Sequence, residues 1–310
     1  MNTPRLARNG ILSALLDGPL RMRLQRFLRS LRGLYALRYW RGQLGLMRVL
    51  AHPGLAGLVR RRPRLLFKYL HGAYLACGLD SACRLAILTH HYACLSRMFR
   101  PGFLRTQLAH GIALWRRPLG PDAACITLVF SAHDFEGELM LAFWLGDDWI
   151  YTASVTLAHG GVAKGGADDA GAPALLITGL QGAAGKLAQI RQASRACVDI
   201  APPYLLLAAV RGIAAAIGAG RILAVGNGRQ LAKASGRALF DYDRFWASLG
   251  GLPTGDGFYQ VPALPPDRPE PGAVQSLSRE GRRRLLKRDI AEAAAHRLRQ
   301  GMRTPPLPLP

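Results

Sequence analysis

The chain has 310 residues, of which 50% are hydrophobic, and this length and composition exclude a wholly disordered protein. Charged residues make up 19% of the chain, but 41 Lys and Arg outnumber 19 Asp and Glu, which gives a formal net charge of +22. This excess predicts an anionic partner or surface without identifying it. Residues 1–119 carry 21 basic residues and two acids, so most of the excess precedes a nearly neutral middle region.

The cysteines and the longest apolar run bear on the compartment. Five cysteines without a C-x-x-C pair predict neither a disulfide framework nor a zinc ribbon, and they favour a reducing, cytoplasmic compartment. The longest apolar run, Tyr204 to Gly218, is interrupted by Arg211 and is shorter than the roughly 20 residues needed to span a bilayer. We therefore predict no transmembrane helix.

Residues 11–118 have helical periodicity throughout. Between Leu20 and Trp40, apolar residues recur every three or four positions, which predicts an amphipathic helix. Its basic face includes Arg23, Arg26, Arg29 and Arg32. Such a helix either packs its apolar stripe on the core of the protein or adsorbs to an anionic membrane. The sequence leaves both interpretations open.

A second predicted helix, Arg84–Arg97, carries the pair His90 and His91. Neighbouring residues on a helix point about 100° apart, so the two rings do not readily face one ion. His91 is a candidate proton-transfer group near pH 7, and a buried structural histidine is the alternative.

From Ala124 the pattern changes to short β-branched or aromatic runs separated by turn residues, which predicts strands. The first four runs are Ile126–Phe130, Glu138–Trp144, Ile150–Leu157 and Ala174–Thr178. The second and third are joined by Gly146-Asp147-Asp148 and predict a hairpin. Gly160 to Pro173 is rich in Gly, Ala and Asp and predicts a mobile surface loop.

Two carboxylates stand at the start of the second strand. Strand alternation places Glu136 and Glu138 on one face, so they are candidates for a catalytic base, with solvated acids at a hairpin edge as the alternative. No third ligand is placed beside them by the sequence, so we predict no metal site.

The fourth strand runs into Gly179-Leu180-Gln181-Gly182, followed by a helix preceded by Gly185. This turn can present backbone N–H groups to a phosphate, which makes Gln181, Gly182 and Gly185 candidates for cofactor binding. A tight turn in which Gly182 takes a positive φ explains the same residues without a ligand.

The remaining elements are a helix to Ala196, a helix over Tyr204–Ile217, a strand over Arg221–Val225, a short helix over Tyr242–Leu249 and a strand over Phe258–Val261. We predict four parts: a basic helical region (1–119), an α/β core domain (120–262), a Pro-rich linker (263–277), and a basic C-terminal helix with a disordered tail (278–310).

Several of these segments together resemble the VirK/YbjX family of proteobacterial proteins. They are the basic N-terminal helical part, His91-Tyr92 with upstream Arg84, Glu136-Gly137-Glu138-Leu139, Gly179-Leu180-Gln181-Gly182, Ala224-Val225 with Asn227, and Tyr242-Asp243-Arg244-Phe245-Trp246 with the basic helix that follows. The resemblance implies a role in envelope integrity, virulence and survival of antimicrobial peptides or other stress. It assigns no catalytic residue.

The element order after residue 124 is similar to the core of the GCN5-related acyltransferase fold, and we therefore predict an α+β protein with a mixed, mainly antiparallel sheet. In that fold the turn after the fourth strand receives the pyrophosphate of acyl-CoA, which implies this role for Gln181, Gly182 and Gly185. Glu136 or Glu138 is then the candidate base, and His91 is a second candidate.

Three functions follow as hypotheses. The first is a cytoplasmic accessory protein, attached to the anionic surface of the inner membrane through its basic helix. The second is acyl transfer from acyl-CoA or acyl-carrier protein to an envelope component. The third, nonspecific nucleic-acid binding, rests on the net charge alone and ranks lowest.

Overall fold

The computed structural model describes residues 38–119, 122–133, 135–162, 173–231, 240–263 and 278–304. It confirms the predicted α+β class, since a mixed eight-stranded sheet is flanked by helices. The α-helices within these residues are α1 (Trp40–Leu50), α2 (Ala56–Arg61), α3 (Ser81–Met98), α4 (Leu187–Ala196), α5 (Pro202–Ile217), α6 (Tyr242–Ala247) and α7 (Arg279–Arg299). The strands are β1 (Ile112–Leu119), β2 (Asp122–Phe130), β3 (Leu139–Leu145), β4 (Asp148–His159), β5 (Pro173–Gly182), β6 (Arg221–Val225), β7 (Leu252–Pro253) and β8 (Phe258–Val261).

The sheet has the strand order β1-β2-β3-β4-β5-β6-β8-β7. Neighbouring strands are antiparallel except β5 and β6, which are parallel and are joined by a crossover through α4 and α5. Strand β4 is buried at every residue from Ile150 to Ala158, so both faces of the sheet are covered there. Helices α3 and α5 both contact this strand.

The six predicted strands and the hairpin turn are confirmed. Strands β3 and β4 are joined by Gly146 and Asp147, and Gly146 takes a φ of 58°. Local signals also fix the helices: the Asp80 side chain accepts a hydrogen bond from the Cys83 N–H and caps α3, and Pro202 begins α5.

Strand β1 corrects the prediction that residues 11–118 are helical throughout. It lies at the edge of the sheet, where Ile112 and Trp115 are buried while Arg116 and Arg117 face solvent. Its exposed arginines continue the basic composition of the preceding helices, which is why the strand was missed. Pro118 is tolerated because an edge strand does not need every backbone N–H in a ladder.

The C-terminal helix packs against the body of the fold. Helix α7 crosses α5 so closely that a Cβ at Gly212 would lie well inside van der Waals distance of the Ala291 carbonyl oxygen. On the same helix, Asp289 accepts a hydrogen bond from the Trp115 indole at 2.8 Å, which ties α7 to β1.

Several predictions lie outside the described residues. The basic face with Arg23, Arg26, Arg29 and Arg32 does, as do residues 163–172 of the predicted loop, residues 264–277 of the linker and the last six residues. Within the described parts, no helix combines the length and the apolar character needed to cross a membrane.

Candidate functional site

A stripe of polar residues runs along the buried middle of β4. Thr152, Ser154 and Thr156 alternate along this strand and are each at most 1% exposed. A core strand ordinarily carries apolar side chains on a covered face, and buried polar groups need hydrogen-bond partners. The chain before β3 supplies one of them, because the Glu138 N–H donates to the Thr156 hydroxyl at 3.1 Å.

Gly137 allows this chain segment to lie directly on the sheet. A Cβ at Gly137 would come within 3.1 Å of the Thr178 hydroxyl and 3.2 Å of the Val155 nitrogen. The Thr178 hydroxyl bonds to the Glu136 carbonyl oxygen and also lies 3.2 Å from the Ser154 carbonyl oxygen. The glycine therefore allows Glu136 and Glu138 to be fixed against β4 and β5.

The two carboxylates do not form a pair. Glu138 lines a cavity beside Arg61, Arg62 and Arg64, whereas Glu136 lines a different cavity beside Gln181. The predicted alternation does not apply because β3 begins at Leu139, after both acids.

Glu138 is the centre of a buried cluster. Its carboxylate accepts hydrogen bonds from the Tyr74 hydroxyl at 2.5 Å and the Tyr92 hydroxyl at 2.6 Å, and it lies 2.5 Å from the Lys68 Nζ. Burial is the largest single influence on Glu138 and opposes its ionisation. The Lys68 ammonium and the hydrogen bonds from Lys68 and Tyr74 together contribute to holding the pKa of Glu138 below its ordinary value. Burial next to this carboxylate raises the pKa of both phenols well above their ordinary value, so both stay protonated and donate.

His91 lies in the core between α3 and β4. Its Nδ1 accepts a hydrogen bond from the Leu157 N–H at 3.0 Å, so the ring proton is on Nε2, which has no hydrogen-bond partner among the described residues. Burial lowers the pKa of His91 to about 3. The ring is therefore neutral near pH 7, contrary to the expectation of a group that titrates there.

Glu136 faces the second cavity, of about 100 Å³, which we call the Glu136 cavity. Gln181 Nε2 donates to the carboxylate at 2.7 Å, and the Ser154 hydroxyl lies 3.4 Å from the same oxygen. Thr178, Gly179 and Tyr242 also line this cavity. The structure therefore brings together two predicted site residues, Glu136 and Gln181, and the contact is made by the Gln181 side chain.

Strand β5 extends beyond the end of its pairing with β6. The two strands pair from Ala174 to Ile177, but β5 continues to Gly182. In the space beyond the paired residues, the Tyr242 hydroxyl accepts a hydrogen bond from the Leu180 N–H at 2.7 Å and lies 3.2 Å from the Leu180 carbonyl oxygen. Burial raises the pKa of Tyr242 to about 12, so its phenol is protonated near neutrality.

A side-chain network holds Tyr242 in place. The Asn227 side-chain oxygen accepts hydrogen bonds from the Tyr242 N–H and from Gln230, both at 2.8 Å. Asp241 caps α6 by accepting from the Arg244 N–H, and Asp243 accepts from the Asn227 N–H at 2.8 Å. This network therefore holds Tyr242 in one wall of the Glu136 cavity and also fixes the start of the short helix α6.

The glycine turn differs from the prediction at Gly182. This residue ends β5 without a positive φ, and the positive φ belongs to Gly185, at 74°. A Cβ at Gly182 would lie 3.1 Å from the Ile190 Cδ1, so packing against α4 favours glycine here. Lys186 follows the turn and forms an ion pair with Asp148 at 2.8 Å.

Several members of these clusters were not predicted as site residues, among them Lys68, Tyr74, Tyr92 and Tyr242. Lys68 is one of only five lysines in a chain with 41 basic residues, which is the one signal that distinguished it in the sequence. Polar residues also alternate along the predicted third strand, at Thr152, Ser154 and Thr156. Such alternation ordinarily indicates a strand with one solvated face, so it did not indicate that these polar groups are buried.

Comparison with known proteins identifies the family to which the chain belongs. The model of a family described as "Protein of unknown function (DUF535)" matches residues 24–290. The chain belongs to this family, VirK/YbjX, as its motifs predicted. The uncharacterized protein YbjX of Escherichia coli (strain K12) is 29% identical over 233 residues, which cover 70% of this chain and 67% of the relative. No solved structure matches the chain significantly.

Proposed function

We propose that this family member is an acyltransferase that moves an acyl group from a thioester, carried by CoA or acyl-carrier protein, to an amine or hydroxyl of an envelope component. The observation that carries the proposal is a cavity lined by Glu136, Gln181 and Tyr242, beside the part of β5 that extends beyond its pairing with β6. The resemblance to GCN5-related acyltransferases rests on the order of elements after residue 124, and the parallel pair with its helical crossover is one part of that order.

Glu136 is the candidate base in this proposal. It takes the proton of the acceptor amine or hydroxyl as that atom forms a bond to the thioester carbonyl carbon, and the carbon–sulfur bond then breaks. The thiol leaves as a thiolate, whose conjugate acid has a pKa of about 8.5, so its departure needs no strong acid. Gln181 and Ser154 orient the Glu136 carboxylate through the contacts described above.

The space around Glu136 limits how the donor fits. A cavity of about 100 Å³ accommodates a thioester and not a nucleotide. We therefore place the donor phosphates outside it, near the start of α4, where the first turn contains no acidic residue and Lys186 is the N-cap residue. An extended donor chain would compete with Tyr242 for the Leu180 N–H.

A thiol-release assay with acyl-CoA and acyl-carrier protein donors tests this proposal. We expect Glu136→Gln to lower the rate at least 100-fold, the lower part of the range for loss of a general base. Glu280→Gln, which changes an exposed carboxylate on α7, is the matched control and should retain the wild-type rate. Absence of donor binding in calorimetry would reject acyl transfer, and equal rates for the two variants would reject Glu136 as its base.

A second candidate function is peripheral attachment to an anionic membrane in support of the envelope, and helix α1 favours it. Trp40, Leu44 and Met47 have the spacing of one helix face and are 53%, 41% and 49% exposed. Arg41 and Arg48 flank them and are exposed as well. Apolar side chains bordered by arginine are typical of helices that lie in a membrane interface.

Vesicle flotation tests this attachment. We expect the wild type to float with vesicles containing phosphatidylglycerol, and replacement of Trp40, Leu44 and Met47 by serine to reduce the bound fraction severalfold. Leu187 and Leu252, which are 59% and 67% exposed elsewhere, provide a control double serine variant. If Arg23, Arg26, Arg29 and Arg32 contribute as the sequence predicts, their replacement by Glu abolishes flotation. Equal flotation of the wild type and all variants would contradict the proposed membrane attachment.

A further inference from the structure

The cavity beside Glu138 is distinct from the Glu136 cavity and has a different chemistry. Its volume is about 260 Å³. Four cationic side chains line it, together with apolar and phenolic groups; the cationic ones are Arg61, Arg62, Arg64 and Lys68. Glu138 is the only carboxylate among the described residues that line it, and we call this space the arginine cavity.

The negative charge of Glu138 is already engaged within the protein. Lys68 lies 2.5 Å from the carboxylate, and the hydroxyls of Tyr74 and Tyr92 donate to its oxygens. The Lys68 side chain is 10% exposed and the Glu138 side chain 1%, so this pair is shielded from water. Among the described residues that line the cavity, the carboxylate therefore offsets Lys68 and leaves the charge of Arg61 and Arg62 in excess.

The arginines are held close together by the local chain. Arg62 bonds to the carbonyl oxygens of Phe130 and Ser131, which fix its position without neutralising it. Pro63 begins a 3₁₀ helix directly after it. Arg64 lies within this helix, Arg61 lies just before it, and both side chains are exposed. Like charges in a concave site repel one another and attract an anion.

A structural ion pair alone does not account for this arrangement. Lys68 and Glu138 would be better shielded without an open cavity beside them, and the arginines add positive charge where a buried cation already stands. Guanidinium groups match the oxygens of phosphate through paired hydrogen bonds. We infer that the arginine cavity binds a phosphate monoester, with Arg61 and Arg64 at its entrance and Arg62 and Lys68 inside.

The size of the cavity limits the ligand. At about 260 Å³ it is smaller than typical small-molecule sites of about 300–1,000 Å³, so it takes a phosphate with a few further atoms. Two sources present this chemistry: a soluble phosphorylated compound and the head group of a phosphatidic acid. The rest of a larger ligand remains outside the entrance in either case.

Calorimetry on the full chain, with inorganic phosphate and glycerol 3-phosphate as probes, tests the soluble source. Sedimentation with phosphatidylcholine vesicles containing phosphatidic acid tests the lipid source, and phosphatidylglycerol vesicles of equal charge density control for general attraction. The test variant is Arg61→Gln with Arg64→Gln. Its control is Arg60→Gln with Arg105→Gln, since Arg60 and Arg105 are exposed and do not line the cavity.

We expect the test variant to bind at least one of the monoester probes about 10- to 100-fold more weakly than the wild type, while the control variant binds as the wild type does. Both variants change exposed side chains, so their unfolding midpoints should remain those of the wild type. Equal binding by test and control variants overturns the inference. The inference is also overturned if the test variant loses binding to phosphatidic acid and phosphatidylglycerol vesicles equally and neither soluble probe binds. That result indicates general charge attraction.

Discussion

The Nζ atom of Lys68 lies 2.5 Å from a carboxylate oxygen of Glu138, and both side chains are almost completely shielded from solvent. Two residues that stand 70 positions apart in the chain thus form a buried ion pair. Desolvation of such a pair costs several kcal/mol per ion, and it is offset only when further hydrogen bonds complete the geometry. Tyr74 and Tyr92 supply them for the carboxylate.

Replacing one residue of this buried pair should therefore lower the free energy of unfolding far more than replacing one residue of an exposed pair. We expect Lys68→Met to lower the free energy of unfolding by about 3–5 kcal/mol, because it leaves Glu138 buried with its charge unpaired. Lys186→Met, which breaks the half-exposed pair with Asp148, should cost about 1 kcal/mol or less. Urea unfolding of both variants measures the difference, and equal losses would contradict a buried charge at Glu138.

His91 should make stability depend on pH. Its folded pKa of about 3 lies below the ordinary 6.5, so the unfolded chain binds a proton that the folded chain excludes between these values. The free energy of unfolding therefore decreases as the pH falls below 6.5. In His91→Asn, the amide oxygen can replace Nδ1 as the acceptor for Leu157, and the variant has no imidazole to titrate.

Urea unfolding at several pH values between 6.5 and 4 tests this expectation. The slope of unfolding free energy against pH should be about 1 kcal/mol per pH unit shallower in His91→Asn than in the wild type, since one proton accounts for about 1.4 kcal/mol per unit. His90, whose pKa is also lowered, contributes equally to both proteins. Parallel slopes would indicate that His91 is not buried as a neutral ring.

The close approach of α5 and α7 gives a third prediction. Gly212→Ala should lower the free energy of unfolding by about 1–3 kcal/mol, since the added methyl group meets the Ala291 carbonyl oxygen and forces the helices apart. Gly45→Ala on α1 is the control, because no other group lies within 4 Å of its Cβ position. It should stabilise the protein by about 0.5–1 kcal/mol through helix propensity. A Gly212→Ala variant as stable as the wild type would contradict the crossing.

Local sequence signals were sufficient for most of the fold. Short β-branched or aromatic runs between turn residues predicted six strands, and the helix predicted from Tyr204 begins two residues earlier, at Pro202. Strand β1 was missed because its exposed arginines share the composition of the helices before it. Its strand conformation depends on pairing with β2, which is a tertiary property.

The candidate site was harder to predict from the sequence than the fold was. The three groups that contact the Glu138 carboxylate come from positions 46 to 70 residues upstream, and local periodicity does not encode such distances. Glu136 and Gln181 were each predicted, from a carboxylate motif and a glycine turn, but their contact depends on the bulge at Thr178 and on the fit of Gly137 against β4.

The glycine turn after β5 gives the last prediction. Gly182→Val should lower the free energy of unfolding by about 1–3 kcal/mol, because its Cβ position is already 3.1 Å from Ile190 Cδ1 and 3.4 Å from the Tyr151 ring. Gly185→Ala should cost about 1 kcal/mol for a different reason, namely its φ of 74° in otherwise open space. Shortening the side chain in Ile190→Ala should recover part of the loss in Gly182→Val and none of the loss in Gly185→Ala. Urea unfolding of the single and double variants measures this coupling, and strictly additive losses for Gly182 and Ile190 would show that packing against α4 is not the reason for glycine at position 182.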